Sequence, residues 1–232
     1  MPRNDFAAVI FDLDGTLVDS AGEIAIALNR LLAELGQPPM ARREVEALIG
    51  RGVRSLVERA LERTGLRGAD IGAAVERFEQ LYAVTVGTDA TLFSGVQEGL
   101  ALLANARIPM GVVTNKPRYF TEQLLRRLGV ENLFTAVVAG DDGIRRKPAG
   151  DMLLAAAREL GCDIDSSLMI GDSENDILAA RDAGCVVWCV PYGYNEGRPP
   201  AALDCDLLVS TVEEAARRLT AAPSRPPPGP AG

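Results

Sequence analysis

Ala7-Ala8-Val9-Ile10-Phe11-Asp12-Leu13-Asp14-Gly15-Thr16 is an apolar run that stops on two carboxylates and a glycine. The run from Ala7 to Phe11 lacks polar/apolar alternation, which is how a strand covered on both faces of a parallel sheet reads. Asp12 and Asp14 stand two residues apart. In an extended chain such residues share a face, so both carboxylates can turn toward one point. Gly15 lets the backbone bend sharply there and come close to a ligand. A lone Asp-Gly is a plain turn. The same pair inside Asp-x-Asp-Gly-Thr, directly after an apolar strand, marks a site at a strand end.

Similar short runs recur downstream: Met110 to Val113, Ala136 to Ala139, Leu168 to Ile170 and Cys185 to Val190. Helical periodicity fills the intervals. Phe120, Leu124, Leu125 and Leu128 form one apolar face closed by Gly129, and Leu153, Ala156, Ala157 and Leu160 another closed by Gly161. Ile177 and Ala180 belong to a third, closed by Gly184. Glycine just past a periodic run is a helix stop. Ser210-x-x-Glu213 reads as a capping box opening a last helix through Leu219. Strands alternating with helices predict an α/β fold, a doubly wound parallel sheet of Rossmann-like form.

One interval breaks the pattern. Far more chain lies between Phe11 and Met110 than a βα crossover needs. Ser20-x-x-Glu23 reads as a capping box, followed by the face Ile24, Leu28, Leu31, Leu32 and Leu35 and the stop Gly36. Val53, Leu56, Val57, Ala60 and Leu61 form a second helical face, and Ile71, Val75, Phe78, Tyr82 and Val86 a third. No comparable strand pattern appears among them. The expected organisation is a core of residues 1–15 and 89–220, with an inserted all-helical cap domain at 16–88. Emerging beyond the carboxyl end of the first strand, such a module would sit over a ligand site as a lid. Residues 221–232 are a Pro-rich tail, expected to be disordered.

Composition removes whole classes of chemistry. The 232 residues carry 24 Lys+Arg against 32 Asp+Glu, a net charge of −8, and contain no histidine. An acidic chain is a poor nucleic-acid binder. Without histidine there is no Ser-His-Asp triad, imidazole base or histidine-held zinc. Cys162, Cys185, Cys189 and Cys205 show neither C-x-x-C spacing nor an arginine six residues on, and read as reduced thiols of a cytoplasmic protein. No basic run leads into a long apolar stretch and none nears 18 apolar residues, so neither signal peptide nor membrane span is expected. The oligomeric state is not legible.

What remains is carboxylates, lysine, hydroxyls and an oxygen-held metal. Thr114-Asn115 ends the second strand, where a hydroxyl and backbone N–H groups can hold a phosphoryl oxygen. Lys147-Pro148 follows the third strand; Lys147 is one of only two lysines, the other being Lys116. Gly171-Asp172-Ser173-Glu174-Asn175-Asp176 follows the fourth and opens a helix, with Ser173 placed to cap it. Four strand ends thus send Asp12, Thr114, Lys147 and Asp172 to one crevice. Carboxylates gathered at one point repel unless a cation joins them, and oxygen-only ligation suits Mg²⁺. Such a site fits phosphoryl transfer, where catalysis is mostly positioning and charge neutralisation. No G-x-x-x-x-G-K-[ST] or G-x-G-x-x-G is present, so the site is not built for a nucleotide in either common way.

Taken in order, Asp-Leu-Asp-Gly-Thr, Thr-Asn, Lys-Pro and Gly-Asp-Ser-Glu-Asn-Asp resemble the four motifs of the haloacid-dehalogenase-like phosphohydrolases, over about residues 6 to 220. The insert between the first two resembles one of that family's cap types. The resemblance implies Asp12 as nucleophile and Asp14 as general acid and then base. It implies Thr114 and the backbone of Asn115 as phosphoryl ligands, and Lys147 as the cation that steadies nucleophile and phosphate. Mg²⁺ would be held by the Asp12 side chain, the Asp14 carbonyl and Asp172, with Asp176 behind them or linked through water.

Within that family, a lysine-free cap argues against phosphonate cleavage and the missing histidine against sugar-phosphate mutation. The presence of Asp14 argues against dehalogenation. Gly95-Val96, Val112 to Pro117, Gly140-Asp141-Asp142 and Tyr192-Gly193-Tyr194-Asn195-Glu196-Gly197 resemble the branch acting on 2-phosphoglycolate. That branch usually continues Lys-Pro-x-Pro, whereas Ala149-Gly150 follows here. The expected partner is therefore a small phosphorylated metabolite, with sugar phosphate, nucleotide, pyrophosphate and a purely phospholigand-binding role as alternatives. In the cap, Ile49-Gly50-Arg51-Gly52 breaks the helical pattern, and Arg51, with Arg54, is expected to meet the substrate carboxylate.

Overall fold

The computed structural model describes residues 6–221. The chain runs β1 (Ala8–Phe11), β2 (Val18–Asp19), α1 (Ala21–Glu34), α2 (Arg42–Glu46), α3 (Val53–Arg63), α4 (Ile71–Thr85) and β3 (Thr91–Leu92). It continues α5 (Val96–Asn105), β4 (Met110–Val113), α6 (Arg118–Arg127), β5 (Ala136–Val138), α7 (Asp151–Glu159), β6 (Ser167–Gly171) and α8 (Glu174–Ala183). It closes with β7 (Val186–Cys189), β8 (Leu207–Leu208) and α9 (Val212–Thr220). The Pro-rich tail beyond Ala221 lies outside the described residues.

Six strands form one parallel sheet in the order β5-β4-β1-β6-β7-β8. From β1 the chain winds one way through β4 to β5, then returns to the other side of β1 for β6, β7 and β8. The reversal falls between β1 and β6, which pair through Val9 with Leu168, Ile10 with Met169 and Phe11 with Ile170. A doubly wound sheet opens a crevice at this point, beyond the carboxyl ends of the two strands. Asp12 and Asp172 are the residues that follow those ends.

Alternation on the buried strands builds the two faces. Val9, Phe11, Val112, Leu168, Ile170 and Trp188 point into the layer that includes α5 and α9, and Trp188 meets Phe6 edge-on at 6.0 Å. Ile10, Val113, Val138, Met169 and Val187 point into the opposite layer, against Met152 and Leu153 of α7 and Ile177 and Ala180 of α8. Helices α1 to α4 follow β1 and precede β3. Leu28, Leu31, Phe78 and Tyr82 knit α1 to α4 in a core continuous with the first layer. Among the described residues no helix is long and apolar enough to cross a membrane.

Three local readings need correction. The insert is not purely helical at its neck: β2 and β3 pair antiparallel, Val18 with Leu92 and Asp19 with Thr91. Two residues per strand carry too little periodicity to read. Ser20 and Glu23 form no capping box. The Ser20 hydroxyl bonds Asp14 Oδ1 at 2.6 Å, and the buried Glu23 accepts from the Tyr82 hydroxyl at 2.8 Å and the Gly87 N–H at 2.6 Å. The last helix starts one residue later than expected. Thr211 is the cap, bonding the Glu214 N–H at 3.0 Å, while Glu214 reaches back to Ser210.

Helices α5 and α9 cross at Gly99, where an added Cβ would lie 2.7 Å from the Val212 backbone carbonyl. Gly99→Ala gains about 1 kcal/mol of helix propensity but must push apart two backbones. Overpacking of this kind costs about 1–3 kcal/mol. The expected net effect is a lower urea midpoint; an unchanged or raised midpoint would show that the contact yields.

Candidate active site

The sheet's topology delivers four loops to the crevice. The β1 strand hands its last ladder bond to Asp12, whose N–H donates to the Ile170 carbonyl at 2.9 Å. The next turn closes on Leu13, whose carbonyl accepts from Thr16, Leu17 and Val18. Gly15 takes φ +97°, and a Cβ there would overlap the Asp172 carboxylate. Glycine is required on both counts, the left-handed backbone and the close approach.

Asp12, Asp172 and Asp176 are buried, with one carboxylate oxygen from each lying within 4.8 Å of the others. Lys147 sits between two of them, donating to Asp12 Oδ1 at 2.6 Å and Asp176 Oδ1 at 2.7 Å. The other Asp176 oxygen accepts from the N–H groups of Asp172 and Ser173 and from the Ser173 hydroxyl. Asp176 is therefore already saturated by protein donors. Asp172 accepts from the Thr16 hydroxyl at 2.9 Å and from the N–H groups of Tyr194 and Asn195 at 2.8 and 3.1 Å.

Burial and charge crowding set the proton affinities. Burial raises Asp12 well above the usual carboxylate range; Lys147 opposes this, while Asp176 and Asp172 add to it. Burial, with the Asp176 charge, pushes Asp172 up to about 7, against its N–H, Thr16 and Lys147 contacts. Burial alone would lower Lys147, but its two carboxylate partners outweigh that and raise it. One ammonium among three carboxylates leaves the cluster short of positive charge. The donor set is all oxygen, with Asp12 and Asp172 on neighbouring strand ends. It could hold a hard divalent cation, which would supply the missing charge.

The Asp14 carboxylate is not part of this cluster. Its two oxygens accept from Lys116 Nζ at 2.9 Å each, and one also accepts from Ser20. Asp12, Asp14, Thr114, Asn115 and Lys116 form the polar end of a cavity whose other wall is Ile24, Ile49, Val53, Leu56, Phe78 and Tyr82. Its free volume is about 50 Å³, against about 10–15 Å³ for a single water.

The Thr114 hydroxyl takes the Lys116 N–H at 3.2 Å. The Asn115 side chain bridges the Lys147 carbonyl and the Gly50 carbonyl, both at 2.9 Å, and its buried Oδ1 has no partner. The structure turns Arg51 away from this cavity: its guanidinium pairs with Glu196 at 2.7 Å and is half exposed. The loop carrying Arg51 reaches the site through the Gly50 carbonyl, which also accepts from Asn175 at 3.2 Å. Arg54 pairs with Glu58 on its own helix.

Lys116, Tyr82, Glu23, Thr16 and Tyr194 are not among the site residues expected from the sequence, where Glu23 reads only as part of a capping box. Lys116 was detectable as the scarcer signal, one of two lysines, next to Thr114-Asn115. Tyr82 looked like an ordinary core position on its helix. Tyr194 receives the N–H groups of Ser20 and Ala21 on its hydroxyl, both at 2.9 Å, and so ties the Asp172 loop to the neck of the insert. Nothing in local sequence joins positions so far apart.

The haloacid dehalogenase-like hydrolase family model matches residues 9–190. The chain is 40% identical over 220 residues to a phosphoglycolate phosphatase of Thiobacillus denitrificans, covering 93% of this chain and 96% of that one. It is 42% identical over 216 residues to a plasmid-borne phosphoglycolate phosphatase of Cupriavidus necator, covering 93% and 94%. A crystal structure described as a predicted phosphoglycolate phosphatase from Haemophilus somnus superposes with a TM-score of 0.82 at 28% identity, over 90% of this chain and 96% of that one. CbbY from Rhodobacter sphaeroides, solved with phosphate, superposes with a TM-score of 0.76 at 25% identity, over 90% and 96%.

A carboxyl raised to about 7 in the fold stabilises the metal-free protein below its ordinary range and loses that contribution as pH rises through about 7. In chelator-treated protein, the unfolding temperature of wild type relative to Asp172→Asn should fall between about pH 5 and pH 8. A divalent cation should restore it at the upper end only. Parallel pH curves for the two proteins would refute the assignment.

Proposed function

The chain belongs to the haloacid dehalogenase-like hydrolase family, and we propose that it is a Mg²⁺-dependent phosphatase converting 2-phosphoglycolate to glycolate and phosphate. One observation carries the chemistry. Asp12 is held by a buried lysine beside two further carboxylates, at the mouth of a cavity that also presents Asp14 and Thr114. The substrate reading is supported by relatives 40% identical over nearly the whole chain.

Asp12 attacks phosphorus as the ester oxygen departs. Asp14 gives that oxygen its proton, releasing glycolate and leaving an aspartyl phosphate on Asp12. Asp14, now a carboxylate, takes a proton from water as the water attacks phosphorus. Phosphate leaves and Asp12 is regenerated. The covalent step divides one difficult displacement into two easier ones. Thr114 and the Asn115 backbone hold the phosphoryl oxygens, and Lys147 keeps Asp12 oriented and offsets its charge. Asp12, Asp172 and the Asp14 carbonyl would hold Mg²⁺, with Asp176 behind them, and the bound ion would supply neutralisation of phosphoryl charge. The four free thiols accord with a cytoplasmic setting.

Phosphate release should be measured on phosphoglycolate, hexose phosphates, a nucleoside monophosphate and pyrophosphate, with Mg²⁺ and with EDTA. Metal-dependent turnover favouring phosphoglycolate is the expected outcome; a different ranking discards the substrate, and no turnover discards the enzyme. Asp14→Asn should lower kcat by about 10²–10⁴-fold, the usual range for a lost acid–base group, while phosphoglycolate still binds by calorimetry. Unimpaired turnover would remove Asp14 from the mechanism.

A further inference from the structure

We propose that Lys116 is the receptor for the substrate's carboxylate and so the residue that selects phosphoglycolate among small phosphate esters. This rests on the reading of the reaction given above and assigns its specificity to one side chain. Among the described residues lining the cavity, Lys116 is the only cation. The rest of the wall is Asp12, Asp14, a few uncharged polar groups and a broad apolar surface from α1, α3 and α4. A second anion on the substrate has no other positive side chain to meet there. Arg51, the alternative from the cap, is engaged by Glu196 outside the cavity.

The reach follows from bonded geometry. To protonate the leaving group, an Asp14 oxygen must come to about 2.7 Å from the ester oxygen, the length of an O–H···O bond. Lys116 Nζ lies 2.9 Å from both Asp14 oxygens. In phosphoglycolate the carboxylate carbon is only two bonds from that same ester oxygen. An ammonium resting on Asp14 can therefore come within hydrogen-bond reach of the carboxylate while the proton transfer is aligned. An ammonium carries three N–H donors, so Lys116 can keep Asp14 and still receive the substrate.

Lys116 is also held from the cap side. Its Nζ stands 4.9 Å from the centre of the Tyr82 ring. Tyr82 stacks on Phe78 with ring centres 5.7 Å apart and is pinned through its hydroxyl to Glu23. A cation stationed on an aromatic face in a largely apolar pocket is poorly hydrated, which strengthens its attraction for an incoming anion. The cap thus acts in specificity through Tyr82, by fixing a core lysine, rather than through a residue of its own that bonds the carboxylate.

The test compares kcat/KM for phosphoglycolate and for ethyl phosphate, the same ester with a methyl in place of the carboxylate. Wild type should strongly favour phosphoglycolate. Lys116→Met should lower the ratio of the two constants by about 10–150-fold, the worth of a hydrogen bond to a charged group. Lys116→Arg, which keeps the charge, should retain most of the preference. Lys116→Gln can still bond Asp14; it should behave like the methionine variant and serves in its place if that one fails to fold. Were Lys116 only a support for Asp14, both esters would slow together and the ratio would stay within twofold of wild type, overturning the proposal with the phosphatase reading intact. A wild type with no preference for phosphoglycolate would overturn the substrate reading and this inference together.

Discussion

The site is organised around one buried ammonium that has to answer for more than one buried carboxylate. Lys147 bonds Asp12 and Asp176 at once, with its side chain 2% exposed. Removing any of these charges from water is costly, and the mutual attraction offsets the cost only when geometry and further hydrogen bonds are good. The structure meets that condition through neighbouring loops. Asp176 is filled by the donors of its own helix start, and Asp172 by Thr16 and the Tyr194 loop. Two strand ends, one helix start and one loop are thereby locked to each other at the reversal point of the sheet. The residual negative charge suits the cluster to the divalent cation proposed for it.

The second lysine plays the complementary part. Lys147 lies beneath Asp12, within the core; Lys116 lies on Asp14, facing the cavity and the cap. Each carboxylate of the Asp-x-Asp pair therefore has its own ammonium, and the two pairs point in different directions. This separation suits the division of labour proposed for them. A nucleophile should stay ionised and oriented, whereas an acid–base group must exchange a proton and so must face the leaving group. The apolar wall supplied by α1, α3 and α4 limits water around Asp14 and Lys116, which keeps electrostatic interactions there strong.

Much of this was legible in the sequence because it depends on local signals. Strand runs ending at Asp12, Thr114 and Asp172 needed only hydrophobic continuity, and Gly36, Gly129, Gly161 and Gly184 all take positive φ just past the helices they were expected to end. Misreadings came where a local pattern was claimed by a distant partner. Ser20 and Glu23 have capping-box spacing, yet Asp14 and Tyr82 take their side chains. Arg51 has the right loop for a substrate contact, but Glu196, from a loop far along the chain, holds it. The ribbon of Val18–Asp19 with Thr91–Leu92 is too short to leave a period.

The sequence by itself determined the doubly wound parallel fold, the helical insertion and the identity of the residues at the strand ends, since apolar runs, glycine stops and motif order are encoded within a few neighbouring positions. Only the tertiary structure decided which side chains pair. That Lys147 serves Asp12 while Lys116 serves Asp14, that Tyr82 backs Lys116, and that Arg51 faces Glu196 depend on contacts between segments many tens of residues apart. Such contacts are set by how strands and loops pack in space, and no local pattern of residues carries that information.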